Sequence, residues 1–212
     1  LEMINYLYIF IFLTIAVPGS FSRIITTVDP PSSYTINGIS KETGSTLFTQ
    51  DYDNKIGINI AYQQIIFYRG KFNLYTGAEF MLGKKAESRI AFHSTYIMPS
   101  FLLSDNLALS MRFGMTQINT DQSNFNLDMG ILVSLGLEYK VSDDITLGFD
   151  YCFYDIRDKA VTDISGFNPP LISNISGDNI LNEAIDMDLS YAKFGFSIIY
   201  GFEINNKKEK RL

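Results

Sequence analysis

From residue 55 onward, large apolar residues recur at every second position. In the stretch Leu127–Val141 the odd positions are Leu127, Met129, Ile131, Val133, Leu135, Leu137, Tyr139 and Val141. The even positions are Asp128, Gly130, Leu132, Ser134, Gly136, Glu138 and Lys140, with one large apolar residue among them. Side chains alternate across a β-strand, so this is a strand with one greasy face. The same period runs through Leu107–Met115, Ile145–Phe153 and Phe194–Ile204, and a helical period fits none of them. Seven strands are predicted, at 56–68, 72–83, 89–103, 107–118, 127–141, 145–157 and 189–205. All are at least twice the five or six residues usual in soluble proteins, and long enough for the 9–11 that a tilted strand needs to cross a bilayer.

The connections repeat as well. Leu103-Ser104-Asp105-Asn106-Leu107 and Val141-Ser142-Asp143-Asp144-Ile145 each set three polar turn formers between apolar flanks. Tyr68-Arg69-Gly70-Lys71-Phe72 reads as a third copy, with Gly70 supplying a positive φ. Longer connections are expected at Lys84–Ser88, Asn119–Asn126 and Asp158–Met187. Tight turns at one end and long loops at the other are the habit of a membrane barrel. If the tight turns are periplasmic, one more strand must precede residue 56, and Tyr34–Ser40 is the candidate. The fold predicted is all-β: a closed up-and-down antiparallel transmembrane β-barrel of eight strands.

Which face points outward decides the setting. The second face is predicted to hold Gly57, Asn59, Ala61, Gln63, Gly77, Glu79, Ser110, Arg112, Gly114, Gly130, Ser134, Gly136, Glu138, Gly148, Asp150, Gly195, Ser197, Gly201 and Glu203. Glycine weakens strands, and a solvated exterior rarely uses so much of it; a tight lumen has reason to. The greasy face is therefore expected to meet lipid. A soluble periplasmic lipid-binding barrel would need it turned inward. One strand breaks parity: Ile90, Phe92, Tyr96 and Met98 are even, whereas Phe101 and Leu103 are odd. A bulge near Pro99 would reconcile them and keep Arg89 and His93 off the lipid face.

The N-terminal stretch agrees with an envelope address. Tyr6–Val17 is apolar but too short to span a bilayer, and small residues stand at the −3 and −1 positions of a cleavage point after Ser22. Residues 1–22 are read as a signal peptide, with Leu1 and Glu2 an upstream remnant, 23–205 as the barrel and 206–212 as a polar basic tail. No cysteine follows the apolar run, which removes lipid attachment there.

Against known groups, Tyr139–Tyr151 and Phe101–Leu109 resemble the small outer-membrane β-barrels of the OmpA/OmpX type from Gram-negative bacteria. Lys193, Gly195, Ile198 and Tyr200 resemble the family's assembly signal. The resemblance implies a bacterial outer-membrane location, contact with outer-membrane lipids and handling by the barrel-assembly machinery.

Composition narrows function by exclusion. The 212 residues carry 17 Lys and Arg against 23 Asp and Glu, a formal charge of −6, which argues against a nucleic-acid partner. One cysteine, Cys152, and one histidine, His93, preclude an internal disulfide and a Cys/His zinc site. No cofactor motif is present. His93-Ser94 cannot form a nucleophile–base pair directly, because neighbours on a strand face opposite ways. His93 is expected at the lumen or rim, and Cys152 as a small lumen filler. Glu79, Arg112, Glu138 and Asp150 are expected to face inward at similar depth, with Arg112 paired to one or more of the carboxylates. Such a network would plug the barrel or, alternatively, line a narrow pore for small solutes or ions. The loop 158–187 holds Asp158, Asp163, Asp178, Glu183 and Asp186 against Lys159 alone and is a candidate for an extracellular partner. The function expected is non-enzymatic, structural or interaction-based.

Overall fold

A computed structural model describes residues 21–40, 43–54, 56–82, 90–120, 129–157 and 185–203. These form ten strands: β1 (Phe21–Asp29), β2 (Ser32–Ser40), β3 (Thr46–Asn54), β4 (Gly57–Arg69), β5 (Phe72–Leu82), β6 (Ile90–Leu102), β7 (Leu107–Thr120), β8 (Gly130–Lys140), β9 (Ile145–Arg157) and β10 (Ile185–Glu203). All pairings are antiparallel. β4 through β10 follow in order, and β1 closes the ring by pairing with both β4 and β10. The ring thus holds eight strands, β1 and β4 to β10, with β2 and β3 outside it.

β2 and β3 are the upper halves of two long staves. β2 continues β1 along β10, and β3 runs down into β4. The pairing Val28↔Phe196 resumes as Tyr34↔Tyr191, so residues 29–33 oppose only 192–195, one residue fewer. Pro30 and Pro31 fall in that bulge, where their missing N–H groups break no ladder. Pairing to the second stave keeps one register on both sides of the break, Asp29↔Gly57 and Ser32↔Asn54. The predicted strand Tyr34–Ser40 is therefore the upper part of the first stave. Its barrel-closing part begins at Phe21 and Ser22, which face Glu203 and Phe202. Residues 1–20, 83–89, 121–128, 158–184 and 204–212 lie outside the described residues, and with them most of the leader, the longer loops, Arg89 and the basic tail.

Two tight turns form as read. Leu103 N–H donates to Leu107 O at 2.8 Å and Val141 N–H to Ile145 O at 2.9 Å. In each, the first loop serine accepts from the closing residue: Leu107 N–H to Ser104 Oγ at 3.2 Å, Ile145 N–H to Ser142 Oγ at 3.1 Å. The third turn differs. Arg69 pairs with Phe72 across Gly70-Lys71 alone, and the extra residue is taken up by a bulge between Ile65 and Phe67. Gly70 has φ +59°, as the turn demands.

The greasy face points out. Ile131, Val133, Leu135, Leu137 and Tyr139 are 40–53 % exposed, while the alternate residues Gly130 to Glu138 are buried. From Met129 to Val141 the outward apolar run covers about 40 Å of strand, which a tilt near 40° shortens to about 30 Å, enough for a membrane core. Above the band the same faces turn polar: Asp155, Ser190, Thr35 and Asp51 stand directly opposite one another across four strands. Thr35 Oγ1 donates to Asp51 Oδ1 at 2.6 Å. That row marks where hydrocarbon would give way to water.

The bulge expected near Pro99 does not occur. β6 keeps one register against β7 from Ile90↔Thr120 to Leu102↔Ala108, with pairing absent only at Met98 and Pro99. Even positions stay inward throughout, so Phe92, Tyr96 and Met98 are buried in the lumen, and His93 faces outward beside Phe80. The even apolar residues mislead because they are lumen filler.

Candidate functional site

The lumen divides along its axis. Nearest the turns lies a cavity of about 280 Å³, lined among others by Arg23, Tyr75, Ser100 and Glu138, with Asp105 and Asp144 at its mouth. Arg23 and Glu138 form a bidentate pair, Nη1 to Oε2 at 2.7 Å and Nη2 to Oε1 at 3.0 Å. Arg23 Nε also donates to Gln63 Oε1 at 3.0 Å, and its guanidinium lies 4.1 Å from the Tyr75 ring centre. Arg23 is absent from the predicted network because it sits at the edge of the leader, where its strand had no visible pattern. Glu138 accordingly pairs with Arg23 rather than with Arg112.

At mid-height Arg112 is the hub. Nη1 donates to Glu79 Oε2 at 2.6 Å, Nη2 to Asp150 Oδ2, Nε to Ser134 Oγ at 2.8 Å and Nη2 to Cys152 Sγ at 3.0 Å. The Cys152 thiol donates to Asp150 Oδ2 at 2.6 Å. Glu79 is buried and its Oε1 accepts from Tyr154 Oη at 3.0 Å, with Lys193 Nζ 3.9 Å from the same oxygen. Lys193 also donates to Asp29 Oδ2 at 2.9 Å, which in turn accepts from Asn59 Nδ2 at 2.9 Å. Three cations thus meet four carboxylates, and every one of these charges has a partner of opposite sign. A buried charge left unpaired would be costly, so the network holds the wall together across the lumen.

The four residues of the assembly-signal pattern divide between the two faces of their strand. Lys193 and Gly195 of the assembly-signal pattern face inward, whereas Ile198 and Tyr200 are exposed on the outer wall. A Cβ at Gly195 would lie 2.7 Å from Asp150 Oδ1 and 2.8 Å from Thr27 Cγ2. Glycine there leaves room for the Asp150 carboxylate to reach Arg112.

Toward the loops the lumen is dry. The rings of Phe92, Tyr154 and Tyr191 stack, with Phe92 to Tyr191 at 5.2 Å and 7° and Phe92 to Tyr154 at 4.8 Å. Tyr34, Met81, Leu132, Ile156 and Leu189 pack into the same buried cluster. This half contradicts the expectation of a lumen dominated by small residues. Leu132, the odd apolar residue on the inner face of its strand, signalled it. His93 faces outward while Ser94 faces inward, its hydroxyl donating to Thr116 Oγ1 at 2.9 Å. Outside the membrane-spanning part, Lys140 Nζ donates to Asp143 Oδ1 at 2.7 Å, and this bond holds the Asp143 carboxyl below its ordinary pKa. No group of three or more metal-ligating side chains occurs among the described residues.

No family model matches the chain, and no curated protein is matched by its sequence. Solved structures are similar in fold. Neisserial surface protein A matches at 8 % identity over 86 % of this chain and 97 % of that one, with a TM-score of 0.46. OprG from Pseudomonas aeruginosa matches at 10 % identity over 87 % and 96 %, TM-score 0.49, and the protease OmpT from Escherichia coli at 10 % over 88 % and 98 %, TM-score 0.44. The chain folds as a closed antiparallel β-barrel similar to the small outer-membrane barrels of bacteria.

Proposed function

We propose that this chain is a non-enzymatic barrel of a bacterial outer membrane, with a structural or interaction-based role exercised at its loop end. The observation that carries the reading is the outward apolar band of an edgeless barrel: such a surface is stable in lipid and aggregates in water. The outward-facing Phe149, Tyr151, Phe194 and Phe196 make their described ring contacts with one another, so hydrocarbon is the surrounding that suits them. A soluble lipid-binding barrel would bury these residues.

A conducting pore is disfavoured by the ring stack and the paired charges that fill the lumen. A catalytic reading has little support: His93, the one histidine, faces outward away from Ser94, and the Cys152–Asp150 contact is buried within the charge network. The acidic loop 158–187 is the proposed contact for an extracellular partner, and Lys193, Gly195, Ile198 and Tyr200 the proposed signal to the barrel-assembly machinery. With the apolar run before β1 as a leader, the turn end, where β1 begins, faces the periplasm. The test is fractionation followed by gel mobility before and after boiling. The reading expects the protein in the outer-membrane fraction, with a compact form that shifts on boiling. Recovery in the soluble fraction, with one mobility throughout, overturns it.

A further inference from the structure

We propose that the lumen is a half-channel: water and small cations enter from the turn end as far as Arg112 and Asp150, and the Phe92–Tyr154–Tyr191 stack closes the loop end.

Two observations meet in it. The turn-end cavity is followed by a second of about 30 Å³ that reaches Arg112 and Asp150, and Glu138 and Ile199 line both. At roughly 10–15 Å³ of accessible volume per water, the inner space holds about two molecules, and its polar walls give them partners. Gly136 and Gly148 line it, where larger side chains would fill it. Glu138, bonded to Arg23, stands where the two spaces meet. At the mouth, Lys140 is held by Asp143 and Arg23 by Glu138, which leaves Asp105 and Asp144 as an excess of negative charge. That excess favours cations over anions at entry.

Beyond Arg112 the character changes within one or two residues along each strand. Above Asp150 and Cys152 stand Tyr154 and Ile156; above Ser94 stands Phe92; above Lys193 stand Tyr191 and Leu189, all fully buried. Stacked rings and branched aliphatic side chains offer water few partners, and the Tyr154 and Tyr191 hydroxyls are already bonded to Glu79 and Ser32. The polar half and the dry half therefore adjoin at the Arg112 network, and access is one-sided.

Two measurements test this. In a Cys152→Ser background, Ser100→Cys on the cavity wall and Leu132→Cys in the dry cluster are exposed to the small cationic reagent 2-aminoethyl methanethiosulfonate. Access governs such rates, and Ser100→Cys is expected to react roughly 100-fold faster; equal rates overturn the proposal. This arm holds whatever surrounds the barrel, so its failure is separate from failure of the membrane reading. In planar bilayers, Phe92→Ala/Tyr191→Ala is expected to give discrete conductance steps and Arg23→Ala/Tyr75→Ala none. A silent stack variant that still shows the boiling-dependent mobility shift, or steps in the turn-end variant, overturns it. Where the double stack variant loses the compact form, Phe92→Leu is read instead, with the same two outcomes.

Discussion

Arg23 and Glu138 stand 115 positions apart and meet in two parallel hydrogen bonds across the lumen, joining the first stave of the barrel to the sixth. The contact ties the chain's earliest described strand to one formed more than half a chain later. Closure of the ring depends on β1 sitting between β4 and β10, and this ion pair is a cross-brace on that position.

Arg23→Ala leaves Glu138 buried without its counter-charge and is expected to cost about 3–5 kcal/mol of folding stability. Arg23→Ala/Glu138→Ala is expected to recover a large part of the loss. Urea unfolding in detergent micelles, run as a double-mutant cycle, measures both. A double variant no better than the single one would assign the effect to lost packing of the arginine.

Gly195→Ala puts a methyl group 2.7 Å from Asp150 Oδ1 and pushes that carboxylate from Arg112. A loss of about 1–3 kcal/mol is expected, as for other overpacked interiors. The same substitution in an Asp150→Ala background should cost clearly less. Equal costs in the two backgrounds would remove Asp150 from the explanation and leave Thr27.

Leu135→Arg places a charge on the outer wall midway along β8 and is expected to cost about 2–4 kcal/mol in lipid vesicles, whereas Val141→Arg, beside the turn, should cost about 0–1 kcal/mol. Equilibrium unfolding from vesicles gives the gradient. Flat values along the strand would place the wall outside a membrane.

The Asp143 carboxyl is held below its ordinary pKa by the Lys140 bond, so the turn contact is present at neutral pH. It is lost only as pH falls through that lowered value, below the range where a free aspartate titrates. Carbon-detected titration of Asp143 should show the low midpoint, and Lys140→Met should return it to the usual range.

Much of the fold was legible because lipid imposes a simple rule. Seven of the ring's strands repeat an apolar outer face, so residues such as Leu135, Phe149 and Phe196 announce their side directly. The first stave was hidden, since Ile24, Thr26 and Val28 alternate over a short stretch next to the leader and Pro30-Pro31 interrupts the pattern. The inner face was half legible. Glu79, Arg112 and Asp150 stand out as charges at lumen parity and do meet. Phe92, Tyr96 and Met98 read as lipid-facing because period 2 reports alternation and says nothing of which side is in when both sides are apolar.

The most direct test of the central claim is a nitroxide scan along residues 129–141 in a Cys152→Ser background, in lipid vesicles. Relaxation by oxygen reports hydrocarbon, and relaxation by a water-soluble nickel chelate reports water. The account predicts high oxygen and low nickel contact at Ile131, Val133, Leu135 and Leu137, with both low at Leu132 and oxygen low at Ser134 and Gly136. Odd positions closed to both probes, with Ser134 and Gly136 open to nickel, would contradict it.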